Sequence, residues 1–383
     1  MGNGGLENQD ELNKISLDVE NSLGQIPCIA MEIEIELEEF ESKEIVLLFG
    51  EGKDHKEIFD YTQKYSKLEN AQKELQDVKQ FWFDKLNNVQ VKTPIESINI
   101  MLNGWAMYQT IACRLWAKSG FYQSGGAYGF RDQLQDTLGA KFIDIDLMKK
   151  QIIKHARHQF IEGDVEHWWH EESKKGIRTR FSDDLLWLVY VTIEYINFVG
   201  DISILDEEIP YITGPILEEG TDEHYDTHLE SDVKESLYMH CKRAIDKASN
   251  FGINNLPKIG SGDWNGGFST VGNKGIGESV WLGFFLYYVL DKFIPICKLK
   301  EDIETVEKYE KIMDMLKQAV NTNAWDGRWF KRAYTDDGKV IGSMQNEEAR
   351  IDSIAQSWSV ISGAGEAEKQ KIAMEEVENQ LID

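Results

Sequence analysis

Residues 28 to 49 hold two runs with the apolar content of strands, the first of them alternating with the period of a strand. Met31 to Leu37 sets apolar against acidic residues one by one, as a half-exposed strand does, and a second run from Lys43 to Phe49 follows. A pair of strands is marginal on its own, so the segment predicts the trailing edge of a larger β domain. From Asp54 to Asn88 the pattern becomes charged and helical, which predicts a solvated pair of linker helices without chemistry of their own. Beyond Ile95 helix follows helix, separated by loops rich in Gly and Trp, and strand alternation does not return for any useful length.

Caps and periodicity place these helices. Ser182, then Asp183 and Asp184, then an apolar run to Val199 and Gly200, read as an N-cap, first-turn negative charge against the helix dipole, and a glycine stop. That run is apolar on nearly every face, the mark of a helix buried on all sides. Further helices are predicted near 97–118, 145–160, 231–250, 278–296, 301–320, 352–362 and 366–380. About eight helices with buried and half-exposed members imply a mainly α fold, consistent with the concentric rings of an α/α barrel.

Composition narrows the partners. The 383 residues leave room for one large core or two domains. With 41 basic against 67 acidic residues the net charge is −26, which repels phosphate backbones and anionic lipid, so neither nucleic acid nor a membrane is expected. Cys28, Cys113, Cys241 and Cys297 lie far apart without metal or disulfide spacing and read as buried thiols of a reducing compartment. The N-terminus lacks the basic start and apolar run of a signal peptide. The longest apolar stretch, Val280 to Leu290, is too short to span a bilayer. The expected location is cytoplasmic.

Four segments carry the chemistry. They are Tyr122 to Asp136, with Arg131 and Asp132 inside it; His167 to Trp187; Gly262-Asp263-Trp264-Asn265-Gly266-Gly267-Phe268 with Gly277 to Gly283; and Arg350 to Trp358. Arg131, Asp132 and Asp136 offer charged, directional partners for hydroxyl groups; from the residues alone, a local ion pair explains Arg131 and Asp132 equally well. Arg178 and Arg180 share a side if their segment is extended, and would reach phosphate or sugar together or pair with Asp183 and Asp184. His167 and His170 have no third ligand at metal spacing, so no metal is expected, and the aromatic cluster suits the lining or underside of a sugar cleft. Asp352 and Gln356 share a helix face, near a pocket or as a core cap. The acidic run from Asp206 to Glu223 reads as a solvated excursion.

Together, in this order and from about Pro94 onward, these segments resemble the cellobiose phosphorylase family, glycoside hydrolase family 94. They are most similar to its β-1,2-glucan branch, the 1,2-β-oligoglucan phosphorylases and the C-terminal domain of cyclic β-1,2-glucan synthases. The resemblance implies an (α/α)6 six-hairpin barrel of twelve helices, C-terminally incomplete here, over residues 94–383. It also implies the last hairpin of a β-sandwich at 1–50 and a helical linker at 51–93.

The activity implied is inverting phosphorolysis of a β-linked glucan oligosaccharide to α-glucose 1-phosphate, with inorganic phosphate as co-substrate and no cofactor. A phosphorolytic enzyme needs one carboxylic acid, because phosphate is already an anionic nucleophile. In the family that acid is the fourth residue of Asp-Trp-Asn-Asp, and here Gly266 stands in its place. Losing a positioned general acid lowers the rate by about 10²–10⁴, so turnover by this chain is expected to be very weak. Asp263 is a weak substitute, read in the first instance as a structural carboxylate bonding loop amides, and Glu278 is weaker still.

The resemblance further implies sugar contacts by Arg131, Asp136 and Trp264, with Asp132, Asn265, Arg178 and Asp184 as additional substrate-binding candidates. It places the family's phosphate-binding residues beyond the last residue given, and leaves a homodimer open. The alternative is a catalytically inactive β-glucan-binding domain of a cyclic β-1,2-glucan synthase.

Overall fold

The computed structural model describes residues 31, 33–118 and 126–382. Cys28, Glu32 of the first strand run and Tyr122–Gly125 of the first motif lie outside the described residues. Contacts divide the chain into two units, Met1–Phe81 and Trp82–Asp383.

In the first unit the expected strand pair is not formed among the described residues. The chain is extended, with a turn in which the Glu41 amide donates to the Glu38 carbonyl, but no ladder joins the two runs. Met31, Ile33, Ile35 and Leu37 all stay exposed. Alternation supplies one apolar face, and that face stabilises a strand only where something covers it. Helices α1 (His55–Tyr65) and α2 (Leu68–Leu86) follow, the first capped by the Asp54 carboxylate on the Glu57 amide, and neither contains a fully buried residue.

The second unit is mainly helical. A stretch of alternating α and π turns opens it: α3 (Glu96–Ile100), a π turn, α4 (Ala106–Tyr108) and a second π turn ending at Trp116. Then come four consecutive helix pairs: α5 (Phe130–Ala140) with α6 (Ile145–Ala156), α7 (Asp184–Val199) with α8 (Leu237–Ala248), α9 (Val280–Leu299) with α10 (Ile303–Thr322), and α11 (Ser353–Ser362) with α12 (Ala367–Leu381). The first members, α5, α7, α9 and α11, pack side by side in order. Leu186, Leu188 and Val189 of α7, and Leu282, Phe285, Leu286 and Val289 of α9, have no exposed surface. These helices are apolar all round because helices lie on every side of them.

Helix α9 extends nine residues past the apolar stretch that ends at Leu290 and reaches a length and hydropathy sufficient to cross a bilayer. However, 72% of that window is buried within the protein, as in the core helix of a globular domain. The cap of α7 differs from expectation: Asp183, not Ser182, is its N-cap, and the Ser182 hydroxyl bonds the carbonyls of Ile259 and Gly262. Gly200 stops the helix as predicted, at φ 76°.

Helix α5 is not among the helices read from sequence. It buries Phe130, Gln133, Leu134, Thr137 and Ala140, and the two polar residues mask the stripe. Nor are strands absent. Antiparallel pairing joins β1 (Tyr128–Gly129), β2 (Glu166–His170), β3 (Lys175–Thr179) and β5 (Glu223–Thr227) in that order. A second sheet joins β4 (Glu208–Thr213) to β6 (Leu229–Ser236), and a third joins β7 (Glu278–Ser279), β8 (Ala333–Tyr334) and β9 (Val340–Ile341). β1, β7, β8 and β9, at two residues each, are too short to show period two. β6 takes residues predicted to begin helix α8, because buried Ile209 and Tyr211 of β4 need a partner strand.

Candidate functional site

The N-termini of α5, α7, α9 and α11 converge on the loop Ser261–Phe268, joined by one chain of hydrogen bonds and ion pairs. Arg131, in the first turn of α5, donates from Nη1 to Asp183 Oδ2 at 3.3 Å and to the carbonyls of Asp263 and Trp264, each at 3.2 Å. Asp263 accepts from the Ser279 hydroxyl, the N-cap of α9, at 2.6 Å, and from both Nη atoms of Arg332 at 2.7 Å. Arg332 Nε lies 3.2 Å from Asp352 Oδ2, the N-cap of α11. Helix N-termini favour carboxylates through the dipole and their unpaired amides, which is why acidic residues gather here.

Asp183 is the most perturbed group of the cluster. Burial pushes its carboxyl up to about 7; Arg131 opposes the rise, while Asp184 and Asp263 add to it. Trp187 Nε1 and Arg131 both bond Oδ2, while Oδ1 has no partner among the described residues. Asp184 Oδ2 takes Nδ1 of His167 at 2.6 Å, and its Oδ1 is likewise unpartnered. Burial lowers the His167 pKa, but the Asp184 carboxylate outweighs it and the net direction is upward. The His167 ring stacks on Phe181 at 4.3 Å, so it braces the wall of the site.

The loop presents three different groups. Asp263 is fully buried and bound by Arg332, Ser279 and the Asn265 amide, so both its oxygens are already engaged. Trp264, in contrast, is 46% exposed and offers an aromatic face. Asn265 accepts from the Gly267 amide and shapes the turn. At Gly266 a Cβ would meet no atom within 4 Å, and the backbone is not left-handed, so a Cβ is accommodated there without strain.

Other predicted residues lie elsewhere. Arg178 is buried in a pair with Asp164 (2.6 and 2.7 Å) and Glu162 (3.0 Å), and also bonds the carbonyls of Gly214 and Pro215. Among the described residues it bonds neither Asp183 nor Asp184, and the carboxylates it does meet offset the cost of burying a guanidinium. Asp136, five residues after Arg131 on α5, pairs with Arg114 at 2.7 Å; burial raises its pKa and Arg114 restrains the rise. Asp132 sits beside Arg131, 3.6 Å from its Nε. Gln356 clamps the backbone of Phe330, and Glu278 holds the amides of Asn254 and Leu256 from strand β7 instead of a helix turn. Arg332 and Ser279 escaped sequence reading: Arg332 stands beside a two-residue strand, 69 positions from the carboxylate it serves.

The profile of the Glycosyl hydrolase 94 superfamily catalytic domain matches residues 81–383. The chain belongs to this superfamily. It is 40% identical over 93% of its length to the cyclic beta-(1,2)-glucan synthase NdvB of Rhizobium meliloti, of which it covers 13%. It is 25% identical over 93% of its length to an N,N'-diacetylchitobiose phosphorylase of Vibrio furnissii, covering 45% of that protein. A cellobionic acid phosphorylase of Neurospora crassa is 25% identical over 99% of the chain, with 46% of the relative covered. The chain thus spans less than half the length of each of these glycosyl hydrolase 94 relatives.

The described thiols fit the expectation of buried cysteines in part. Cys241 and Cys297 are buried and free, burial pushing them up to about 12 and about 11, while Cys113 is half-buried.

Proposed function

We propose that this chain binds a β-linked glucan at Trp264 and Arg131 and does not cleave it, because the side chain that would protonate the leaving oxygen is absent at Gly266. The observation that carries this reading is the open space at Gly266, on a loop whose remaining carboxylate, Asp263, is wholly engaged by Arg332 and Ser279. With an acid at that position the reaction would be inverting phosphorolysis, phosphate displacing the glucan oxygen and releasing α-glucose 1-phosphate. Likeness to NdvB supports a β-1,2 linkage and favours a silent glucan-binding domain of a synthase over a phosphorylase that has lost its acid.

The same reading takes α5–α12 as part of an (α/α)6 ring. Two exposed apolar edges support it: Ile100 and Trp105 in the opening helical stretch, and Val360 and Ile361 on α11. A thermal melt with a β-1,2-glucose oligomer should show a rise in Tm that Trp264→Ala abolishes. No rise for the native chain would refute binding.

A further inference from the structure

A cleft of about 550 Å³ opens behind the wall Arg180–Ser182, and its lining includes none of Arg131, Trp264 or Gly266. Five cationic side chains line it, Arg178, Arg180, Lys247, Lys258 and Lys274, against two carboxylates, Asp164 and Glu219. Asp164 is consumed by Arg178. Lys258 and Lys274 have no ion pair or side-chain hydrogen bond among the described residues. Arg178 is neutralised by Asp164 and Glu162, and Lys247 lies 3.9 Å from Asp164, which leaves Arg180, Lys258 and Lys274 without an ion pair among the described residues, in a chain of net charge −26.

Both lips of the cleft are held in place through backbone groups, and of the carboxylates that hold them Asp336 also feels the charge of Lys274. Arg180 bonds only carbonyls, those of Leu217, Glu218 and Thr221, which fixes one lip while keeping the guanidinium without a counter-ion. Asp336 fixes the other lip by accepting from the amides of Lys274, Ile276 and Gly277. Gly260 and Gly272 form part of the wall because a Cβ at either would fall near 2 Å from the Arg180 carbonyl or the Ile259 side chain. The cleft is therefore preformed, and ligand binding need not order it.

We propose that this cleft binds a phosphoryl dianion, with Lys258, Lys274 and Arg180 as its charge partners. Phosphate suits such a set because its oxygens accept charge-assisted bonds from several directions at once. The cations are local and the overall charge is adverse, so binding weakens steeply with salt. This site goes beyond the glucan reading and stands without it.

Isothermal titration calorimetry of the full chain at low ionic strength tests the proposal, with inorganic phosphate, α-glucose 1-phosphate and glucose as separate probes. Phosphate should bind the native chain and glucose should give no comparable heat at this site. Lys258→Gln with Lys274→Gln should weaken phosphate by about tenfold or more. Tighter binding of glucose 1-phosphate than of phosphate would identify a sugar phosphate as the ligand; equal binding would identify free phosphate. Lys274→Glu alone, at an exposed position, covers the case in which the double variant misfolds and should weaken phosphate as well. Trp264→Ala should lose glucan binding and keep phosphate. No heat with phosphate, unchanged affinity in the lysine variants, or loss of phosphate binding in Trp264→Ala would overturn the assignment.

Discussion

Replacing Arg332 with methionine removes two 2.7 Å bonds to a carboxylate that has no exposed surface. Asp263 would keep only the Ser279 hydroxyl and the Asn265 amide. A buried ion left without its partner destabilises by about 3–5 kcal/mol, mostly through desolvation no longer offset. Arg332→Lys keeps the charge but not the two-pronged geometry, so an intermediate loss is expected. Arg332→Met combined with Asp263→Asn should recover about 2 kcal/mol or more relative to Arg332→Met, because no buried charge is then stranded. Urea unfolding followed by tryptophan fluorescence and by far-ultraviolet circular dichroism, with coincident transitions, measures these differences. A loss below about 1 kcal/mol for Arg332→Met, as at an exposed pair, or strict additivity in the double variant, would refute the coupling between loop and helix ends.

Other perturbations probe the same site. Asp183 has a folded pKa near 7 against 3.8 ordinarily, so the folded chain holds the extra proton. The stability this contributes is present below about pH 4 and lost as pH rises through 7; Asp183→Asn should flatten the fall in Tm across that window, and an unchanged slope counts against it. His167, also raised, acts in the same direction and remains in the variant. Gly260→Ala places a Cβ 2.0 Å from the Arg180 carbonyl at φ +62° and should destabilise by more than about 1–3 kcal/mol, whereas Gly266→Ala should stay within about 0.5 kcal/mol; equal melts for the two would contradict the geometry. Gly266→Asp should raise phosphorolysis by about 10²–10⁴, measured as glucose 1-phosphate released, and no gain would mean that the acid is not what the site lacks.

The family was legible because long motifs survive in the sequence, and the eight helices because their caps and apolar stripes are local signals. Gly200 and Gly363 stop their helices in the left-handed conformation that glycine permits. Helix α5 was hidden because Gln133 and Thr137 sit on its buried face. The strands were hidden because ladder pairing is satisfied by partners far along the chain, as Lys175–Thr179 is by Glu223–Thr227.

Within the site, Arg131, Trp264 and the glycine at 266 could be read from motif positions, since those depend on residue identity alone. Whether a charge is spent or available could not. Arg178 and Arg180 look alike two residues apart, yet one is neutralised by Asp164 and Glu162 while the other bonds only carbonyls. Asp183 and Asp263 are both acids near glycine and serine, yet only the fold delivers Arg332 to one and leaves an oxygen of the other unpaired. The sequence by itself therefore determined the family and the helices. Only the tertiary structure decided which charges are neutralised, because ion pairing and desolvation depend on distances that the order of residues does not contain.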